Sequence, residues 1–190
     1  MDQTDDKTFI ELVKQKPDSF SLIYDRYFSR IFAYVLKRTL DYHTAKDISS
    51  EVFLKAFIAI QQFTWKGSPL LVWLYAIAQN EIRLYFRKKA YRPEFLSEYA
   101  GQWSKATTPS AEAERIRLEK EWLQSEKVQT IIQSLNQLSE IQRECVALHY
   151  LESFTYQEIA LILSLKVGTV KSHISRGIQR LRDELKSTAS

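Results

Sequence analysis

TYQEIALILSLKVGTVKSHISRGIQRLR, Thr155 to Arg182, decides how the end of the chain folds, and the rest can be read outward from it. Tyr156 to Leu163 suits one short helix, with Ile159, Ala160 and Leu163 on its inner face. Ser164 to Val167 suits a tight turn. A second helix then carries Val167, Val170, Ile174, Ile178, Leu181 and Leu185 at steps of three and four, a single apolar stripe. Ala160 is small where two crossing helices must approach closely. The opposite face of the second helix holds Thr169, Lys171, Ser172, His173, Ser175, Arg176 and Arg180. Those side chains can reach base edges and phosphates when a helix enters the major groove, so the segment reads as a helix-turn-helix. The same spacing also fits an ordinary basic amphipathic pair with a solvated polar face.

The bulk properties narrow the field. The 190 residues suffice for one large domain or two small ones, and 45% apolar content can fill cores. A net charge of +4 favours an anionic partner. The single cysteine, Cys145, excludes a disulfide framework within one chain and any thiol-rich metal site. The start, MDQTDDKTFIE, is acidic and lacks the apolar run of a signal peptide, and no stretch of 18 apolar residues is present. No membrane insertion is expected, and a cytoplasmic location is the default.

Charge is distributed unevenly. Gln79 to Arg92 holds five basic residues against Glu81, and Thr155 to Lys186 holds six against three acids. Pro93 to Lys127 between them has seven Glu against five Lys and Arg. Two basic patches around an acidic spacer suggest two nucleic-acid contacts. The spacer also breaks the helical pattern. Residues 93–111 carry Pro93, Gly101 and Pro109 without a sustained period, and read as a linker whose Phe95, Tyr99 and Trp103 are apolar enough to dock. Ser110 to Gln124 reads as helical again.

Everything else reads as helix, and the expected fold class is all-α. A short helix spans about Thr8 to Gln15, and Phe20, Tyr24, Tyr27, Ile31 and Val35 mark a second over Asp18 to Thr39. Asp41 is placed to cap the next, whose stripe is Ala45, Ile48, Val52, Ala56 and Ile60. After a loop, Phe63 to Pro69, another helix runs from Leu70 to Lys89 with Trp73, Ile77, Leu84 and Phe86 inward. Asn80 and Arg83 are read on a different face from Trp73 and Ile77.

Three motifs occur in a set order: DISSEVFLKAF (Asp47 to Phe57), WLYAIAQNEIRLYFRK (Trp73 to Lys88) and FTYQEIA to GTVKSHISRGIQRLR (Phe154 to Arg182). On these the chain resembles a bacterial RNA polymerase sigma factor of the extracytoplasmic-function (ECF) subfamily, from about residue 18 to 186. The resemblance implies a region-2-like domain over 1–92, a linker over 93–125 and a region-4-like helix-turn-helix domain over 126–190. It assigns Asp47, Ser50 and Glu51 to the clamp helices of the polymerase largest subunit, with the flap region as a second contact. It assigns Phe63, Trp65, Lys66, Asn80, Arg83, Arg87 and Lys88 to the minus-ten element as it melts. Thr169, Lys171, Ser172, His173, Ser175, Arg176 and Arg180 fall to the minus-thirty-five element. Core polymerase, promoter DNA and an anti-sigma factor are the implied partners.

Four positions depart from the family pattern. Ser50 stands for Gln, Ser164 for the turn Gly, Gln79 for the Arg often found before Asn80, and Lys166 for a small N-cap. Elementary chemistry agrees with the assigned roles. Asp47 and Glu51 share a helix face that suits a basic partner, and by itself fits a solvated surface equally. Asn80 offers a donor and an acceptor to a base, Arg87, Lys88 and Lys89 suit phosphates, and an aromatic beside a cation in the 63–69 loop suits single-stranded stacking. Core packing is the alternative for Phe63 and Trp65.

No enzyme reading survives the inventory. His43, His149 and His173 lie far apart, and only four glycines are present, with no phosphate-loop or nucleophile-elbow pattern. No cofactor is expected. The alternatives are a stand-alone helix-turn-helix transcriptional regulator and a helical interaction protein with no DNA role.

Overall fold

The computed structural model describes residues 3–65, 67–90, 135 and 137–188. The expected linker, with Phe95, Tyr99 and Trp103, the helical reading of Ser110 to Gln124, and Lys66 all lie outside the described residues. Among the described residues the fold is all-α: α1 (Gln3–Gln15), a 3-10 turn (Pro17–Ser19), α2 (Phe20–Thr39), α3 (Tyr42–Ala59), α4 (Leu70–Ala90), α5 (Glu140–Tyr150), α6 (Tyr156–Leu163) and α7 (Val167–Thr188).

The local signals explain the boundaries. The Asp41 carboxylate accepts the Thr44 amide at 2.7 Å and so starts α3. Thr155 and Glu158 form a reciprocal capping box at the head of α6. Ser164 ends α6 at φ +55°, the left-handed conformation that glycine adopts most readily, and the Leu165 amide closes back on the Ala160 carbonyl. Val167 opens α7 on the next turn, so Lys166 stands at its N-cap with no side-chain oxygen to offer the first amides.

α2, α3 and α4 form the first bundle, with α1 packed on α2. The α3 stripe Ala45, Ile48, Val52, Ala56 and Ile60 is buried as its period requires. α4 differs from expectation. Its buried residues are Leu70, Leu71, Val72, Leu74, Tyr75, Ala78, Gln79 and Ile82, while Trp73, Ile77 and Leu84 are half-buried and Phe86 is exposed. The reason is that α4 is covered on two sides, by α2 and α3 and also by α6. Asn80 is also on the Trp73 side, because seven residues are nearly two full turns; it is the exposed end of that face.

The two halves share one continuous core, which runs from the bundle into α5, α6 and α7. Phe154 stands edge-on to Tyr75 with ring centroids 4.7 Å apart. Around them, two carboxylates from the C-terminal half are buried against α2 and α4. Glu144 receives Arg38, and Glu152 receives Tyr75 Oη at 2.6 Å and Lys37 Nζ at 3.0 Å. Arg30 donates to the Glu152 carbonyl at 2.9 Å. The Tyr34 hydroxyl lies 2.6 Å from Gln79 Oε1 and 3.3 Å from Glu144 Oε2. It has one proton to give, and the shorter contact is to Gln79. Burial first, and the Glu144 charge second, hold the Tyr34 phenol far above its ordinary range, so it remains a donor.

Two expectations follow from this packing. Glu144→Ala leaves Arg38 without its buried partner and should destabilise the fold by about 3–5 kcal/mol in urea unfolding. A loss under 1 kcal/mol would show that the pair is not holding the halves together. Lys166→Ser adds a capping oxygen and removes a cation from the positive end of α7, and should stabilise by about 0.5–2 kcal/mol, read as a higher melting temperature.

Candidate nucleic-acid and polymerase interface

On α3, Asp47 and Ser50 are exposed and Glu51 is half-buried. The Ser50 hydroxyl donates to the Lys46 carbonyl at 2.9 Å, so it is engaged within the helix. Glu51 lies 3.4 Å from Lys55, which also reaches Glu81 on α4 at 2.7 Å. The hydrogen bond to Glu81 is the main cause of the raised Lys55 pKa. Sequence reasoning missed the apolar continuation of this face. Leu54 and Ile58 are exposed at 53% and 66%, and steps of four, three and four put them in line with Asp47 and Glu51. That periodicity was available in the sequence. Phe57, Leu22 and Tyr24 are exposed as well.

The second group lies on α4 and the loop before it. Asn80, Arg87 and Lys88 are exposed and Arg83 is half-buried. Phe63 and Trp65 are both half-buried against the core, with the Phe63 ring 4.5 Å from Trp73. Among the described residues the buried indole N–H of Trp65 has no hydrogen-bond partner. Gly67 has φ +84°, which an L side chain would adopt only under strain. Gln79 explains one departure from the family pattern: it is fully buried and accepts the Tyr34 hydroxyl, a place unsuited to an arginine facing DNA.

The third group lies on α7. Lys171, Ser172, Ser175, Arg176 and Arg180 are exposed, whereas Thr169 and His173 are half-buried. Val170 and Ile174 hold the helix on the core, and Gly177 sits so close to α5 that an added Cβ would meet Val146 Cγ2 at 2.9 Å. Ser172 donates to the Gly168 carbonyl at 3.0 Å, and Arg176 Nε donates to the Ser172 carbonyl at 3.2 Å. That second bond uses one guanidinium donor of an exposed side chain and leaves the terminal nitrogens to other acceptors. Lys171 Nζ lies 5.7 Å from the Tyr156 ring centroid, which ties the two helices of the motif together.

Among the described residues no cluster of three His, Cys, Asp or Glu could hold a metal ion, and no helix is long and apolar enough to cross a membrane. Cys145 is fully buried, and burial with the adjacent Glu144 pushes its thiol up to about 11, far from a reactive thiolate.

Comparison with known proteins matches these surfaces to two family models in chain order: Sigma-70 region 2 over residues 23–92 and Sigma-70, region 4 over residues 129–181. The ECF RNA polymerase sigma factor SigW of Bacillus subtilis (strain 168) is 30% identical over 182 residues, covering 95% of this chain and 96% of SigW. The ECF sigma factor BldN of Streptomyces coelicolor is 29% identical, covering 94% of this chain and 66% of BldN. Among solved structures, the sigma factor RpoE of Bartonella quintana, crystallised with the anti-sigma factor NepR, superposes with a TM-score of 0.63 at 27% identity. That match covers 88% of this chain and 96% of RpoE. A match that runs nearly end to end in SigW, with α3 and α4 falling in region 2 and the helix-turn-helix in region 4, leaves one conclusion: the chain belongs to the ECF family of RNA polymerase sigma factors.

Proposed function

We propose that the chain divides the work of promoter recognition between the two halves that the family models match. Residues 1–92 bind core polymerase and read the minus-ten element, 93–125 connect, and 126–190 read the minus-thirty-five element. The observation that carries this is the pair of separate outward surfaces, Asn80 with Arg87 and Lys88 on α4, and Lys171 with Ser172, Ser175 and Arg176 on α7.

Asp47, Ser50 and Glu51 form the polar end of the polymerase-binding face, facing the clamp helices. The C-terminal half contacts the flap region. Phe63, Trp65, Lys66, Asn80, Arg83, Arg87 and Lys88 meet DNA as its strands separate. Thr169, Lys171, Ser172, His173, Ser175, Arg176 and Arg180 lie along the upstream major groove. Exposure supports Lys171, Ser172, Ser175, Arg176 and Arg180 most directly; the half-buried Thr169 and His173 act at the edge of the contact. Bond-making belongs to the polymerase, and the chain works in the cytoplasm. RpoE is described in complex with an anti-sigma factor, and a partner of that class is proposed here, with the exposed Leu54, Phe57 and Ile58 as its apolar target.

Asp47→Lys with Glu51→Lys turns attraction into repulsion at the clamp face and should abolish co-purification with core polymerase while leaving helicity unchanged. Retention of the complex would refute that assignment. Arg176→Ala should cost about 1–3 kcal/mol of promoter binding if its free nitrogens contact a base, and should relax selectivity upstream. Asn80→Ala should impair opening instead, and a template pre-melted across the minus-ten region should rescue Asn80→Ala alone. Identical behaviour of the two variants on both templates would sink the division of labour.

A further inference from the structure

α1 precedes the segment matched to region 2, which begins at residue 23, yet it is bonded to both ends of the loop between α3 and α4. At the downstream end, Asp6 Oδ2 accepts the Leu70 amide at 2.8 Å. Leu70 is the first residue of α4, and Pro69 before it has no polar side chain with which to cap the helix. The cap therefore comes from a residue 64 positions away. A carboxylate there satisfies an orphan amide and meets the positive end of the helix dipole. Asp6 is itself buried, and its other oxygen accepts the Tyr27 hydroxyl at 2.5 Å, which fixes its orientation.

At the upstream end, Lys14 Nζ donates to the Phe63 carbonyl at 2.6 Å. Phe63 is the residue whose ring packs on Trp73. α1 is anchored between these bonds by Ile10 and Val13, both in the core, and by Arg26 stacked 5.1 Å from the Phe9 ring centroid. The loop so held contains a glycine at φ +84°, a conformation open to glycine without strain, and an indole N–H buried with no partner among the described residues. Glycine leaves the backbone more freedom to lose on ordering and the orphaned donor costs free energy, so the loop's conformation depends on outside support.

We propose that α1 is a brace for the strand-opening loop, with Asp6 and Lys14 as positioning residues that fix where the loop leaves α3 and where α4 begins. The proposal rests on the reading that this loop and α4 meet DNA as the strands separate. Neither residue touches DNA. Each holds backbone that would otherwise be ordered only at the moment of capture, which would weaken capture.

The test uses the full chain with core polymerase, on a promoter selected by run-off transcription from genomic fragments. Each variant is run on the duplex and on the same template pre-melted across the minus-ten region. Lys14→Gln lies on an exposed turn and should keep its melting temperature and its co-purification with polymerase. Its run-off rate on duplex should nevertheless fall about threefold, the scale of one lost hydrogen bond, and that of Asp6→Ala, which loses two, about tenfold. Asp6→Asn keeps an oxygen for the Leu70 amide and should restore most of the rate. On the pre-melted template all three should approach the parent chain. Equal losses on both templates, or no loss on duplex for Lys14→Gln and Asp6→Ala, would overturn the brace. If the parent chain yields no product on any promoter, the promoter reading itself fails, and the brace with it.

Discussion

Removing a carboxylate from water costs several kcal/mol unless its charge and lone pairs are met. Glu144 and Glu152 are buried at the junction of the two halves, and the surrounding structure is arranged to meet them. From the last turn of α2, Arg38 meets Glu144 and Lys37 meets Glu152; Tyr75 of α4 meets Glu152 as well, and Arg30, two turns earlier on α2, holds the Glu152 carbonyl. An apolar seam alone would allow α5 and α6 to slide on the bundle, because burial has no preferred direction. The carboxylates admit one register. They explain why α4 carries buried polar groups in what would otherwise be an apolar wall.

α4 is the shared element. One side closes the first bundle, another receives α6, and the remaining surface is left for Asn80, Arg87 and Lys88. A helix with three obligations cannot show a simple apolar stripe. Its position is set at the head by Asp6, along the middle by Tyr75 and Gln79, and laterally by the Lys55 to Glu81 bridge. That bridge also links the face carrying Asp47 and Glu51 to the helix carrying Asn80.

Much of this was legible in the chain. The α3 stripe, the Asp41 cap, and the turn and stripe of the helix-turn-helix all follow from local rules, because each partner lies within a turn or two. α4 was read only in part: Trp73 and Ile77 do pack against the core, but Phe86 is exposed and the burial of Gln79 has no local sign. Nothing local in the sequence marks Asp6, Glu144 and Glu152 as buried. Their partners lie from 21 to 122 residues away, and no periodicity reports a partnership at that separation. The apolar extension at Leu54 and Ile58 could have been seen by carrying the Asp47 to Glu51 spacing one step further.

The separation of those partners also has a meaning in time. Arg38 leaves the ribosome 106 residues before Glu144, an interval of roughly 5–20 s at ordinary rates of synthesis. Once α4 completes the first bundle, its docking face has no second half to cover it for the remainder of that interval. Lys37, Arg38 and Arg30 keep water on a surface that also exposes Tyr34 and Tyr75, so the unfinished chain presents charge where a wholly apolar face would invite association. The residues that later fix the register of the two halves thus first protect the nascent bundle from its neighbours.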